Sequence, residues 1–108
     1  AALRPGREFL VPAARDIWNE ATSSDAPTLS LYQRMNLRLA ATHAIRLAAQ
    51  IVDSCYTACG ATVVFDGHLI QRHFLDMHVI TQHSQGRLAH YELVGKHTLG
   101  LPIDESRL

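Results

Sequence analysis

Arg72, Asp76, Val79 and His83 follow one another at steps of four, three and four, a spacing that lines them along one face of an α-helix. Three of the four are polar or ionisable, which is unusual for a helix whose other residues can supply a packing face. Arg72 and Asp76 are placed for an intrahelical ion pair. His83 stands about two turns, roughly 10 Å, beyond Asp76 at the expected C-terminal end of that helix. A solvated face gives the same pattern: an exposed pair worth about 0.3–0.5 kcal/mol, and a histidine whose cation the helix dipole favours.

Seven histidines raise the question of a metal, and their spacing argues against one. His68, His73, His78 and His83 recur every five residues, so each is turned about 140° from the last on a helix. His83, His90 and His97 are seven apart, roughly 10 Å along a helix axis, which is too far for one zinc with bonds of about 2.0–2.1 Å. No His-x-x-x-His pair occurs, so no metal ligands are assigned. Nucleophile-elbow, phosphate-loop and dinucleotide fingerprints are all missing.

The elements that must position these residues are helices. Strand signals are confined to Ala61–Phe65, a short run with no evident partner. Pro5-Gly6 reads as a breaker, and Pro12 suits the first turn of a helix running to about Ala21 or Thr22. Phe9, Leu10, Ala14, Ile17, Trp18 and Ala21 would form its apolar side. Ser23 to Pro27 reads as a loop, with Ser24 or Asp25 as the next N-cap.

The second helix is expected from about Leu29 to Cys59, with Gly60 just past its end. Leu37, Ala41, Ala44, Ala48, Ile51, Cys55 and Ala58 form one apolar seam, and Ile45, Ala49, Val52, Tyr56 and Cys59 form another beside it. Two adjacent seams require neighbours on both sides, so this is the central helix of a bundle. A third helix should span about His68 to His83, packing through Leu69 or Ile70, Phe74, Met77 and Ile80. A fourth should run from about Gln85 to Leu99, stopped by Gly100 and Pro102, with Lys96 and His97 suiting its dipole. The expected fold is all-α: an antiparallel up-and-down four-helix bundle, with residues 1–108 as a single domain.

Composition bounds the function. The 108 residues are 47% hydrophobic and 19% charged, with ten basic and ten acidic residues, so the chain is globular and carries no net formal charge. A neutral chain with 6% aromatics has neither the field nor the stacking platforms of a nucleic-acid binder. No apolar run approaches the roughly 20 residues of a membrane helix, and the first residues do not resemble a signal sequence. Cys55 and Cys59, four apart in a helix, read as small core residues of a reduced, cytoplasmic protein.

The run Ala58-Cys59-Gly60-Ala61, then His68-Leu69-Ile70-Gln71-Arg72, Leu75-Asp76 and Gln82-His83, resembles the C-terminal helical domain of the acyl-CoA dehydrogenase superfamily. In particular it is similar to the flavin-dependent monooxygenase branch, the oxygenase components of two-component hydroxylases. Tyr91 to Lys96 and Leu99-Gly100 resemble that branch's terminal helix, so the likeness covers about Trp18 to Pro102. Leu75 stands where the branch usually has arginine, and His68-Leu69-Ile70 replaces its proline-leucine form.

The resemblance implies a C-terminal piece of a larger flavoenzyme, inactive alone, with flavin in a crevice closed by other domains. It implies an enzyme that takes reduced flavin, FMN or FAD, from a separate reductase and transfers one oxygen atom to a small organic substrate, often aromatic. A homotetramer is the expected assembly. His83 matches the catalytic histidine, placed to hydrogen-bond or protonate activated oxygen. Arg72 and Asp76 fall on the cofactor side, orienting the helix or meeting another subunit.

Two alternatives remain open. An acyl-CoA dehydrogenase would need a carboxylate base, and its usual tyrosine-glutamate-glycine-threonine segment is absent, since Tyr91-Glu92 is followed by Leu93. A non-catalytic helical interaction module would explain the alanine-rich seams equally well.

Overall fold

A computed structural model describes residues 3–23, 28–61 and 69–107. Four α-helices follow in order: α1 (Leu3–Ser23), α2 (Leu31–Ala58), α3 (Leu69–Thr81) and α4 (Ala89–Thr98). A short 3₁₀ turn, Ser84–Gly86, joins α3 to α4, and there is no strand among the described residues. The all-α bundle expected from the periodicity is the fold observed. Most of the candidate strand, Thr62 to Phe65, lies outside the described residues, as does His68.

The long helix α2 is the axis of the bundle. Helices α1, α3 and α4 and the 3₁₀ turn all pack chiefly on it rather than on one another. From Gln33 to Ala49 every residue of α2 is buried or half-buried, as the two seams required. The seams run out before the helix does. Beyond Asp53 only Tyr56 is even half-buried, so Cys55 and Cys59 are exposed rather than core residues.

Helix α2 begins at Leu31, close to the expected Leu29, but with a different cap. Its cap is Ser30, not Ser24 or Asp25, which lie outside the described residues. Ser30 forms a capping box: the Gln33 N–H donates to Ser30 Oγ at 3.1 Å, and the Ser30 N–H donates to Gln33 Oε1 at 2.9 Å. The Gln33 amide also donates to Asp16 Oδ2 at 3.3 Å, tying the cap to α1. Ser30→Ala is expected to lower stability by about 1 kcal/mol, measured by denaturant unfolding.

Helix α1 starts well before the expected position and carries Pro12 inside it. A proline there removes one backbone donor and usually breaks a helix. Pro12 and Glu8, whose carbonyl would have accepted that bond, are both exposed, so water can take the carbonyl. Gly6 and Ala13 are the buried residues of α1, with Phe9, Leu10 and Ile17 half-buried beside them. Ala14, Trp18 and Ala21, expected on the apolar side, are exposed, Trp18 by 69%. The contact face is a narrower stripe than hydrophobicity alone indicated. Gly6 permits it, because a Cβ there would lie 2.9 Å from Leu47 Cδ2.

Helix α3 packs through Ile70, Phe74, Met77 and Thr81, while Leu69 and Ile80 are exposed. Phe74 stacks on Tyr56 of α2 with ring centroids 4.3 Å apart and meets the His78 ring at 4.5 Å. His78 in turn lies 2.8 Å from Asp53 of α2. Helix α4 ends as expected at Gly100, whose φ of 76° is the left-handed conformation glycine takes without cost. The Leu101 N–H donates to the Lys96 carbonyl at 2.8 Å and the Gly100 N–H to the His97 carbonyl at 3.0 Å, closing the helix.

Few apolar residues are fully sequestered: Ala13, Met35, Ala40 and Ala49 are the buried ones described. The radius of gyration is 17.2 Å, against about 13 Å for a compact domain of this length. Helices radiating from one axis leave their outer faces uncovered, which accounts for both figures. No helix of the described residues is long and apolar enough to cross a membrane.

Candidate functional site

The ionisable stripe of α3 is shorter than its spacing suggested. Arg72, Asp76 and Val79 do share a helical face, and Arg72 Nε lies 3.8 Å from Asp76 Oδ2. Both side chains are exposed, by 81% and 64%, so water screens the pair and it adds little stability. His83 does not continue the stripe. The last turn tightens, with the Gln82 N–H donating to the Val79 carbonyl at 3.0 Å and the His83 N–H to the Ile80 carbonyl at 2.9 Å. Thr81, buried, turns its hydroxyl back on the His78 carbonyl at 2.6 Å, and α3 stops there.

His83 therefore stands on extended backbone (φ −65°, ψ 147°) and caps the following 3₁₀ turn. The Gln85 N–H donates to His83 Nδ1 at 3.2 Å. An imidazole nitrogen that accepts a hydrogen bond carries no proton, so the proton of the neutral ring is on Nε2. The exposed His83 thus offers an N–H donor from Nε2.

The turn that carries His83 is held by a second stripe, on α2, which the sequence reading missed. Arg34, Arg38, Thr42 and Arg46 recur every four residues. Thr42 is fully buried, and its hydroxyl donates to the Gln85 carbonyl at 2.7 Å. Arg46 Nε donates to the Gly86 carbonyl at 2.7 Å, and Arg38 Nη1 to Gln85 Oε1 at 2.5 Å. Arg34 Nη2 reaches the Glu105 carbonyl near the C-terminus at 2.9 Å. The signal was present in principle: polar side chains at i, i+4, i+8 and i+12 on a helix otherwise rich in alanine must face something that accepts hydrogen bonds. Gly86 fits under this clamp because it lacks a Cβ, which would lie 3.0 Å from Ile45 Cγ2 and 3.3 Å from the Thr81 carbonyl oxygen.

His90, in the first turn of α4, completes the network. Its Nδ1 lies 2.8 Å from Thr42 Oγ1. The threonine proton is committed to Gln85, so Thr42 Oγ1 accepts, and His90 Nδ1 carries the ring proton. Burial, with Arg38 and Arg87 nearby, holds His90 below the ordinary histidine value of 6.5, against the opposing effect of the Gln85 backbone. Lys96 and Glu92, on the same helix, line the same cleft as His90.

The sign of the resulting pH dependence follows from proton counting. The unfolded chain protonates this histidine at a higher pH than the native one, so it binds more protons just below 6.5. The His90 contribution is therefore complete above 6.5 and is lost as pH falls from there through the depressed native value. His90→Gln should flatten that part of a stability-versus-pH curve measured by denaturant unfolding.

The exposed groups of α3 and the turn after it are a hydrogen-bond donor, an apolar strip and an ion pair. His83 supplies the N–H donor of its Nε2. Leu75 and Val79, exposed by 58% and 71% on the face of α3 that also bears Arg72 and Asp76, offer an apolar strip beside an ion pair. No group of three or more His, Cys, Asp or Glu side chains converges among the described residues as a metal would require.

Comparison with known proteins agrees with this fold. The profile of the family described as "Acyl-CoA dehydrogenase, C-terminal domain" matches residues 1–87. The chain is also 31% identical over 84 residues to indole-3-acetate monooxygenase of Pseudomonas putida, an alignment that takes in 78% of this chain. It spans only 21% of that protein's length. A central alanine-rich helix on which the other helices pack, and a match over most of the chain, agree: the chain belongs to the acyl-CoA dehydrogenase family, as its C-terminal helical domain.

Proposed function

We propose that these residues form the C-terminal domain of the oxygenase component of a two-component, flavin-dependent monooxygenase, acting on a small organic substrate, often aromatic. One observation carries the reading: His83, at the end of α3, has Nδ1 engaged by the Gln85 N–H and so presents Nε2 as a fixed donor. The likeness to a protein named as a monooxygenase supports it.

Reduced flavin, FMN or FAD, supplies the electrons and the position at which oxygen is activated when it is bound, mainly by other domains. His83 would present its Nε2 N–H to the place where oxygen reacts, as hydrogen bond or as proton. Arg72 and Asp76 lie on the cofactor-facing side of α3. Thr42, Arg38 and Arg46 fix the turn, so that the donor need not reorganise at each turnover.

The dehydrogenase alternative needs a carboxylate base over its substrate. Glu92 is a poor one. The hydrogen bond from Lys96, whose Nζ lies 2.9 Å from Glu92 Oε1, and the lysine charge hold its carboxyl below the ordinary value. The remaining partners follow from the reading: a separate flavin reductase, and a cytoplasmic homotetramer in which the exposed Trp18 and Leu69 are covered.

The test is an oxygenation assay on the full-length protein with reduced flavin, oxygen and a panel of aromatic acids and phenols. An oxygenated product carrying label from ¹⁸O₂ is expected. A protein that instead oxidised acyl-CoA thioesters without incorporating oxygen would overturn the proposal.

A further inference from the structure

A cavity of about 360 Å³ lies between α2, the end of α3 and the start of α4, at the small end of the roughly 300–1,000 Å³ usual for small-molecule sites. Arg46 and Asp53 both line it and stand seven residues apart on α2, two turns or roughly 10 Å along the helix. Arg46 is half-buried, and among the described residues its guanidinium meets only the Gly86 carbonyl, through Nε at 2.7 Å. A cation drawn partly out of water is stable only when its charge is met, and no described carboxylate meets this one. Asp53 accepts from His78 Nε2 through Oδ1 at 2.8 Å, and its other oxygen has no donor among the described residues. Ala49 and Leu88 add apolar wall to the same cavity.

We infer that this cavity takes a small zwitterion of the amino-acid type, its carboxylate on the Nη groups of Arg46 and its ammonium on Asp53 Oδ2. A guanidinium whose Nε is engaged keeps two Nη donors side by side, which match the two oxygens of a carboxylate. His78 steadies the acceptor at the other end, its own ring lying 4.5 Å from that of Phe74. A simple anion would gain Arg46 but face the charge of Asp53, and a simple amine would meet the reverse. A molecule bearing both charges satisfies both ends, and the apolar wall suits a few methylene groups between them. The site does not rest on the flavin reading, which leaves Asp53 and His78 unused and assigns Arg46 only to holding the turn.

Calorimetric titration of the full-length protein tests it, with δ-aminovalerate as the zwitterion and valerate and pentylamine as singly charged analogues, all at one ionic strength. Saturable binding of δ-aminovalerate in the millimolar range is expected. Each analogue should bind about tenfold more weakly, the size of one lost charge-assisted contact. Asp53→Asn touches none of the bonds that hold the turn. It should weaken δ-aminovalerate about tenfold without weakening valerate, whereas Arg72→Gln on α3 should change neither. Should the Asp53 variant unfold, the three ligands on wild-type protein decide alone. Absence of saturation with δ-aminovalerate, valerate bound as tightly as δ-aminovalerate, or undiminished binding in a folded Asp53→Asn would overturn the inference. None of these outcomes depends on oxygenation, so a protein that fails the assay above can still pass this one.

Discussion

Thr42→Val should destabilise the domain by about 3 kcal/mol, although the two side chains have nearly the same shape. Thr42 is fully buried, and its hydroxyl is both donor and acceptor: it donates to the Gln85 carbonyl at 2.7 Å and accepts from His90 Nδ1 at 2.8 Å. Valine fills the space and leaves both partners unsatisfied, at about 1–3 kcal/mol for each orphaned group. A methyl group gained in exchange offsets only part of that. Thr42→Ser retains the hydroxyl and should lose much less, which separates the hydrogen bonds from the packing. Equilibrium unfolding in urea measures both, and equal losses in the two variants would show that the hydroxyl is not what matters.

The consequence reaches past stability, because Gln85 is the residue whose N–H holds His83. His83→Ala, by contrast, should leave the fold almost untouched. The ring is exposed and caps only a three-residue 3₁₀ turn, so its loss costs less than a buried contact would. Its effect falls on the reaction. Removing a positioned proton donor slows the assisted step by roughly 10²- to 10⁴-fold, and the hydroxylation rate should drop by about that factor while the protein unfolds at nearly the wild-type denaturant concentration.

Much of this fold was legible in the sequence, for identifiable reasons. The central helix announced itself through two alanine-rich seams, and both helix ends marked by Gly60 and Gly100 are where they were expected, each with positive φ. What failed were boundaries set by competition. Pro12 signals a helix start, yet an exposed carbonyl tolerates the missing donor and the helix runs through it. The apolar side of α1 was drawn too wide because hydrophobicity does not say which flank a neighbour covers, and Trp18 is left outside.

The site was less legible than the fold. Arg72 and Asp76 lie on α3 as their spacing implies. His83 does not, because the buried Thr81 hydroxyl and two tightened backbone bonds end the helix two residues before it. Helical periodicity cannot see such a stop, which depends on tertiary contact. The clamp on α2 was hidden for the opposite reason. Arg38, Thr42 and Arg46 lie off both apolar seams, and only the turn packed against them shows what they hold.

The partition of consumed oxygen between product and peroxide in His83→Ala, measured in full-length protein saturated with reduced flavin, bears most directly on the role given to this histidine. If His83 supplies the donor, the variant still consumes oxygen but sheds it as hydrogen peroxide, and product per oxygen falls steeply. A variant that hydroxylates with wild-type coupling would contradict the account, because the turn and its clamp would then be holding a residue that does no chemistry.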